Sequence, residues 1–335
     1  MTEAGSGPGA AALRSTDFAA AIRANERNTF WLCAVLILLG TLLGAVIGAV
    51  VGAFALPATA DAIEIAASDL AAPALIGAGA MLSLSLVFTF VGLQFGGSMV
   101  VGLMGARAVT PEREPKLTNV VEEMSLAAGL TRPRMVVIET PALNAFATGT
   151  DAKSAVIGVT RGLLDGLERD ELQGVVAHEM GHIANRDILY MTAVATLVGL
   201  IFMVCDVGRR VAVRGLAFGG GRGRKGNPAA LIALAIFLVF AVLAPIAALL
   251  LRMAVSRQRE YLADATAVKL TRNPLGLIGA LEKIGASSVP MAKTSEAVQH
   301  LFISNPLHHF GPSASALFST HPPIERRIER LRDLG

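Results

Sequence analysis

Residues 30–56 read FWLCAVLILLGTLLGAVIGAVVGAFAL and contain no charged side chain. About 20 apolar residues are enough to cross the hydrocarbon core of a bilayer, so this segment predicts a transmembrane helix. It is longer than the roughly 7 to 15 apolar residues of a cleavable signal peptide, and we therefore expect it to be retained. Glycines at every fourth position predict a smooth face on which a second helix packs closely. They are Gly40, Gly44, Gly48 and Gly52.

Three further apolar runs lie at residues 70–106, 188–205 and 228–251, which makes four hydrophobic segments in all. The run at 188–205 is close to the lower limit of length for a transmembrane helix. The loop between the last two runs carries six Lys and Arg residues against one acidic residue, so a simple hairpin would export positive charge. Either both segments span the bilayer despite this charge, or both stay packed together at the cytoplasmic surface.

The composition agrees with a membrane protein that has soluble parts. Hydrophobic residues make up 53% of the 335-residue chain and charged residues only 16%, well below the share in soluble domains. The net charge of +3 and the 5% of aromatic residues give no basic, aromatic-rich surface for nucleic acid, so we expect no nucleic-acid partner. Cys33 and Cys205 both lie in apolar runs and predict no disulfide framework.

The distribution of Lys and Arg predicts the orientation of the first two spans. Basic residues precede the first span and follow the second, whereas the loop between the spans holds three acids and no base. Positive residues favour the cytoplasmic side, so the N-terminus and the polar segment 107–187 are both predicted to be cytoplasmic. The basic residues are Arg14, Arg23, Arg27, Arg107, Arg113 and Lys116.

The polar segment has the pattern of a small folded domain. Apolar positions from 120 to 130 predict an amphipathic helix that is closed by Gly129. Residues 134–139, 144–148 and 155–160 predict three short strands in a small antiparallel sheet. Acidic residues at 168–170 then predict the first turn of a long helix, where they favour the helix dipole.

That long helix contains the sequence HEMGH at residues 178–182. Histidines at positions i and i+4 project from the same helix face, so His178 and His182 are able to bind one zinc ion together. The glutamate between them, Glu179, is placed to act on water at the open position of the metal. A helix with two ordinary surface histidines is the alternative explanation.

A catalytic zinc ion usually has three protein ligands, and the sequence offers Glu260 as the third. Glu260 lies just after the fourth apolar run, and Asp264 follows it one helical turn later on the same face. Asp264 is placed to accept a hydrogen bond from the free ring N–H of a ligating histidine. The alternative is the solvated, charged end of a helix.

These features resemble the HtpX group of membrane-bound zinc metallopeptidases, which is related to the zinc-dependent CAAX prenyl endopeptidases. The resemblance covers about residues 102–334 and rests on four sequence blocks in the order of the family. They are NAFATG at 144–149, AHEMGH at 177–182 with NRD at 185–187, SRQREYLAD at 256–264, and THPP at 320–323 with Arg327.

The resemblance implies a mainly α multi-pass membrane protein with a small β-sheet and a gluzincin-type zinc metallopeptidase domain. It also implies that Asn144 lies on an edge strand that pairs with the substrate backbone, and that His321 and Arg327 face the active-site cleft. One zinc ion per subunit is expected. Glu179 would be the general base and acid, with His321 as the candidate donor to the oxyanion.

The predicted organisation has five parts. They are a flexible N-terminal segment at 1–27, two transmembrane helices at 28–106, the first part of a cytoplasmic zinc peptidase domain with the catalytic helix at 107–187, a hydrophobic hairpin at 188–251, and the second part of the domain with the third zinc ligand at 252–335. The catalytic helix is expected to run directly into the third apolar run.

The predicted function is an endopeptidase of the cell inner membrane that cuts misfolded membrane proteins or unfolded polypeptides at the cytoplasmic face. Quality control and a stress response are the roles that the resemblance implies. The alternatives are a specific processing peptidase of the CAAX type and a non-catalytic metal-binding membrane scaffold. The sequence leaves the oligomeric state and the substrates open.

Overall fold

A computed structural model describes residues 18–55, 67–218, 228–289, 291, 302–303 and 322–334. Its elements are mostly helices, with one small sheet, as predicted. In chain order they are α1 (Phe18–Ala55), α2 (Ala67–Leu103), β1 (Arg107–Ala108), α3 (Pro115–Ala128), β2 (Arg134–Ile138), β3 (Ala145–Thr148), β4 (Val156–Thr160), α4 (Arg161–Gly166), α5 (Arg169–Ala184), α6 (Asp187–Phe218), α7 (Pro228–Thr271), α8 (Pro274–Ala286) and α9 (Ile324–Arg332).

The chain forms two compact units. A helical unit comprises Phe30–Val91 and Val194–Leu251, and an α/β unit comprises Met1–Thr29, Gly92–Ala193 and Arg252–Gly335. The helical unit therefore holds most of the apolar sequence, and the α/β unit holds the sheet.

Three stretches of helix in the described residues are long and apolar enough to cross a membrane. They are Ile22–Ala55, Asp69–Gly102 and Asp187–Arg210. The described part of the fourth apolar run contributes a shorter apolar stretch, Leu234–Ala248. Many large apolar side chains of α1 and α2 are exposed, among them Trp31 and Leu75, as expected for helices whose solvent is lipid.

The N-terminal segment differs in part from its prediction. Residues 18–27 were predicted to be flexible, but they form the first turns of α1. Three consecutive alanines follow Phe18, and alanine has the highest helix propensity. Residues 1–17 lie outside the described part of the chain.

The glycine face of α1 packs against α2 inside the helical unit, as the sequence predicted. A Cβ atom added to Gly48 would lie 2.1 Å from the main-chain oxygen of Pro73, and one added to Gly44 would lie 2.4 Å from Cβ of Met81. No side chain fits at either position, so glycine allows the two backbones to touch.

The sheet has four strands in the order β1-β2-β4-β3. β3 pairs with β4 in antiparallel register, whereas β2 pairs with β4 in parallel, so the prediction of an antiparallel sheet was wrong for this pair. The link from β2 to β3 carries the chain past the space that β4 later fills, and β4 then runs in the same direction as β2. β3 is therefore the outermost strand on its side.

Helix α5 lies at the centre of the α/β unit and packs against α3, α8 and β3. It begins with a capping box in which Glu168 and Glu171 satisfy each other's main-chain N–H groups. α3 ends, as predicted, at Gly129, which has a φ of 65°. Apolar side chains of α5, including Leu172, Val175 and Met180, are fully buried in the shared core. This packing fixes the helix that carries HEMGH.

The catalytic helix does not run directly into the third apolar run, contrary to the prediction. α5 ends at Ala184, and Arg186 takes a left-handed conformation with a φ of 58° before α6 begins at Asp187. α7, in contrast, continues without a break from the fourth apolar run through Glu260.

Candidate metal centre

His178 and His182 project from the same face of α5 and are both buried. Their Nε2 atoms are 3.2 Å apart. One helical turn separates the two residues, which is the spacing that brings side chains i and i+4 together. The two Nε2 atoms are therefore close enough to bind the same metal ion.

Glu260 on α7 brings a carboxylate to the same place. Its Oε2 atom is 3.7 Å from Nε2 of His178, and its Oε1 atom is 3.5 Å from Nε2 of His182. The three residues form the cluster able to hold a metal among the described residues. Gly181 allows α5 and α7 to approach closely, because it has no Cβ atom. A Cβ atom added there would lie only 3.1 Å from Cα of Ala263 on α7.

The donor set and its spacing fit a zinc ion. Zinc binds imidazole nitrogen and carboxylate oxygen at roughly 2.0–2.2 Å in a tetrahedral arrangement, which separates neighbouring donors by about 3.4 Å. The donor separations of 3.2, 3.5 and 3.7 Å match that value. Three protein ligands leave one position of the tetrahedron open, as in catalytic rather than structural zinc sites.

The two histidines of this cluster have opposite electrostatic surroundings. Burial, assisted by the charge of Arg327, lowers the pKa of His178 to about 4. Burial also lowers the pKa of His182, but hydrogen bonding to Asp187 and the charge of Glu260 outweigh it and raise that pKa to about 9. Zinc requires neutral imidazoles, so metal binding at neutral pH displaces a proton from His182.

Glu179 lies beside the metal ligands and is almost completely buried, with 1% of its surface exposed. Burial raises its pKa to about 7, against the lowering effect of a charge on His182. Within the described part of the chain, its Oε2 atom has no hydrogen-bond partner. A carboxylate that titrates near neutral pH and has an unengaged oxygen is suited to exchange protons with a substrate.

Asp264 accepts a hydrogen bond from His178, as the sequence predicted for a ligating histidine. Its Oδ1 atom is 2.9 Å from Nδ1 of His178. Arg327 binds the same carboxylate with two bonds, Nε to Oδ2 at 2.9 Å and Nη2 to Oδ1 at 2.7 Å. Burial tends to raise the pKa of Asp264, but the positive charge of Arg327 prevails and lowers it.

Arg327 was predicted to face the active-site cleft, and the structure brings it to the candidate metal centre, where its Nη2 atom is 3.3 Å from Nδ1 of His178. It is completely buried. Besides Asp264 it contacts the main-chain oxygen of Ile303 at 3.3 Å, and its Nη1 atom is 3.6 Å from Oε2 of Glu260. Arg327 is therefore placed to fix the positions of Asp264 and Glu260.

Sequence reasoning missed Asp187, the first residue of α6. Its Oδ2 atom is 3.1 Å from Nδ1 of His182, and the residue is fully buried. A usable signal was present, because each ligating histidine needs an acceptor for its second nitrogen and Asp187 follows His182 by only five residues. Arg186 is exposed, so the turn at this point directs Asp187 inward and Arg186 outward.

Asn144 lies one residue before β3, not within it. Its main-chain N–H donates to Oγ1 of Thr160 at 2.9 Å, and its main-chain oxygen accepts the N–H of Thr160 at 3.0 Å. These groups therefore face β4. The outward-facing group is the carbonyl of Ala145, which accepts the N–H of Ile303 at 2.9 Å.

Phe302 and Ile303 cover part of the outer edge of β3. Phe302 forms an antiparallel bridge with Phe146, and the two rings meet edge to face at 5.4 Å. Both Phe302 and Ile303 are buried. His321 lies outside the described residues.

The fold and the site together define the class of membrane metalloproteases. The site has a buried histidine pair, a carboxylate from a second helix and a further glutamate able to act as a base, and the chain has membrane-length helices. The model of peptidase family M48 matches residues 111–334, and the chain belongs to this family. It is a zinc-dependent metalloprotease and a membrane protein.

Two relatives named as HtpX homologs agree with the family. The chain is 47% identical over 251 residues to a protease HtpX homolog of Thermoanaerobacter pseudethanolicus, a match that covers 74% of this chain and 81% of that protein. It is 44% identical over 255 residues to a protease HtpX homolog of Tropheryma whipplei, covering 76% and 84%. A crystal structure of S. mikatae Ste24p matches with a TM-score of 0.48 and 22% identity over 76% of this chain and 57% of that one.

Proposed function

We propose that this protein is an endopeptidase that hydrolyses peptide bonds of membrane proteins, including misfolded ones, at the cytoplasmic face of the cell inner membrane. His178, His182 and Glu260 hold the zinc ion in this proposal. The observation that carries it is the buried cluster of three donors, 3.2 to 3.7 Å apart, beside the unengaged oxygen of Glu179.

Glu179 is the general base and acid of the proposed reaction. When bound, zinc supplies Lewis-acid chemistry that makes water nucleophilic near neutral pH. Glu179 takes a proton from the water that attacks the peptide carbonyl and then gives it to the leaving amine. Its pKa of about 7 suits both tasks, and a nearby cation lowers that pKa towards the base form.

Asp264 and Arg327 position the first histidine. Asp264 fixes the ring of His178 through Nδ1, which leaves Nε2 as the ligand atom. Arg327 donates two hydrogen bonds to Asp264, and its Nη2 atom also lies 3.3 Å from Nδ1 of His178, so in this proposal it positions both side chains. His321 stays the candidate donor to the oxyanion on the strength of the family resemblance alone.

The substrate is proposed to bind as an extended strand beside β3, the outermost strand next to Glu179. Pairing through main-chain hydrogen bonds tolerates many side chains and suits a quality-control enzyme. Because Ile303 already donates to the carbonyl of Ala145, a substrate that pairs there has to displace Phe302 and Ile303. The pairing role expected of Asn144 passes to Ala145 in this proposal.

The position of the ligands in the chain supports membrane-protein substrates. α6, a membrane-length helix, begins five residues after His182, and Glu260 lies on the helix that contains the fourth apolar run. The peptidase domain is then built from two stretches of the sequence, residues 107–187 and 252–335, which the hydrophobic residues 188–251 separate along the chain. The basic residues that precede the first apolar run and follow α2 favour a cytoplasmic N-terminus and active site.

Zinc-dependent proteolysis by the purified chain in detergent tests the proposal. Chelator-treated protein is reloaded with zinc and assayed on casein and on itself, with Glu179→Gln as the test variant. Glu282→Gln is the matched control, since Glu282 is exposed and its ion pair with Arg332 is exposed as well. We expect the wild type and the control to cleave, and Glu179→Gln to bind zinc without cleaving.

If all three proteins bind zinc and none cleaves, the centre is structural and the scaffold alternative replaces the proposal. The substrate class is tested in cells by the fate of membrane proteins with unfolded cytoplasmic domains. Accumulation of soluble substrates alone in the Glu179→Gln strain would contradict the membrane-protein assignment.

A further inference from the structure

Arg259 is a buried arginine that the proposed chemistry does not use. It precedes the ligand Glu260 on α7, and only 4% of its surface is exposed. Arginine is almost never buried in this way unless other groups bind its charge. Its contacts therefore indicate what it does.

Three residues of the α/β unit, two on α6 and one on α1, hold the guanidinium of Arg259. Its Cζ atom lies 3.2 Å above the ring centroid of Tyr190 on α6. Its Nη1 atom is 3.6 Å from Oδ1 of Asp187, and its Nη2 atom donates to Oγ1 of Thr29 on α1 at 3.3 Å. The stacking and the polar contacts together fix both the plane and the position of the group.

Asp187 connects Arg259 to a zinc ligand. One carboxylate oxygen faces Arg259, and the other, Oδ2, is 3.1 Å from Nδ1 of His182. For Nε2 of His182 to bind a metal, Nδ1 has to carry the ring proton and donate it to an acceptor. Asp187 is that acceptor.

The same arrangement occurs at the other histidine. His178 is held by Asp264, and Asp264 is held by the buried Arg327. Each ligating histidine thus has its own carboxylate, and each carboxylate has its own buried arginine.

We propose that Asp187 and Arg259 are positioning residues for zinc, with Arg259 fixing the carboxylate of Asp187 and Asp187 fixing the ring of His182. The inference rests on the proposed function only in taking His182 as a zinc ligand. Groups that orient a ligating histidine typically contribute 10- to 100-fold to metal affinity. Thr29 on α1 and Tyr190 near the start of α6 both contact this arrangement.

The test measures the zinc dissociation constant of the full chain in detergent by competition with a chelator. Asp187→Asn keeps the shape of the side chain but lacks the carboxylate, and we expect it to weaken zinc binding about 10- to 100-fold. Arg259→Gln is expected to weaken it in the same direction. The double variant should bind zinc no less tightly than the single variant with the lower zinc affinity, because Arg259 acts on His182 through Asp187.

Arg186→Gln is the matched control. Arg186 adjoins Asp187 and also contacts α1, through Glu26, but its side chain is 65% exposed. It should bind zinc as the wild type does. Thermal unfolding of the zinc-free proteins identifies variants that merely fold less well.

Cobalt substitution gives a readout that a structural role would not move. The visible absorption of bound Co²⁺ reports the geometry of its ligands, and Asp187→Asn and Arg259→Gln should change this spectrum at saturating metal, whereas Arg186→Gln should not. Unchanged zinc affinity and cobalt spectra in both variants would overturn the inference. Absence of zinc binding by the wild type would instead refute the proposed function.

Discussion

Removal of Arg327 should destabilise the protein more than removal of any exposed arginine of the same helix. Arg327→Leu deletes the guanidinium that makes two hydrogen bonds to Asp264 and leaves that carboxylate buried, with 3% of its surface exposed. Breaking a buried ion pair from one side costs about 3–5 kcal/mol, because the remaining charge is uncompensated. At about 2–4 °C per kcal/mol for a unit of this size, the melting temperature should fall by roughly 6–20 °C.

The measurement is thermal unfolding in detergent with a chelator present, so that loss of zinc does not contribute. Arg332→Gln is the matched control, because Arg332 lies on the same helix and its pair with Glu282 is exposed. Exposed pairs contribute less than about 1 kcal/mol, so this variant should melt within a few degrees of the wild type.

A double variant separates the uncompensated charge from lost packing. Arg327→Leu combined with Asp264→Leu removes both charges, and we expect it to regain at least half of the lost stability. If Arg327→Leu melts like Arg332→Gln, or if the double variant loses the sum of the two single effects, the argument from a buried charge is refuted.

Three further predictions use the same preparations. Folding raises the pKa of Glu179 from 4.5 to about 7, so its carboxyl favours folding below pH 4.5 and loses that effect as the pH rises through 7. Zinc-free Glu179→Gln should therefore melt at a higher temperature than the wild type at pH 8, where its free energy of unfolding should be larger by on the order of 3 kcal/mol. The two proteins should melt alike near pH 4.5. Gly48→Ala should cost about 1–3 kcal/mol through its clash with Pro73, whereas Gly79→Ala, with nothing within 4 Å, should cost far less; equal melting temperatures would contradict the packing of α1 on α2. Zinc should raise the melting temperature of the wild type but not of Glu260→Ala, and a normal rise in that variant would exclude Glu260 as a ligand.

Local patterns in the sequence were sufficient for the presence of α1, α2, α3 and α5 and for the histidine pair. The glycine spacing of α1 and the two histidines one turn apart each depend on one helical period, and a helix has the same geometry wherever it lies. Glu260 and Asp264 were found for the same reason, once the need for a third ligand was stated.

Pairings between distant segments were harder to predict. The parallel contact of β2 with β4 depends on the path of the link before β3, and short strands do not encode their neighbours. The break at Arg186 depends on one left-handed residue that is neither glycine nor asparagine, which sequence rules do not anticipate. Because that break was missed, the inward position of Asp187 was missed as well.

The order of the ligands along the chain determines when the site is completed during synthesis. His178 and His182 are made before the apolar residues 188–251, and Glu260 is made after them. At about 5–20 residues per second, the 78 residues from His182 to Glu260 take about 4–16 s to translate. During that interval the nascent chain carries two of its three proposed ligands, and Arg327 is added later still. With the proposed ligands, the site is therefore complete only after the hydrophobic segments have been translated and are available for insertion.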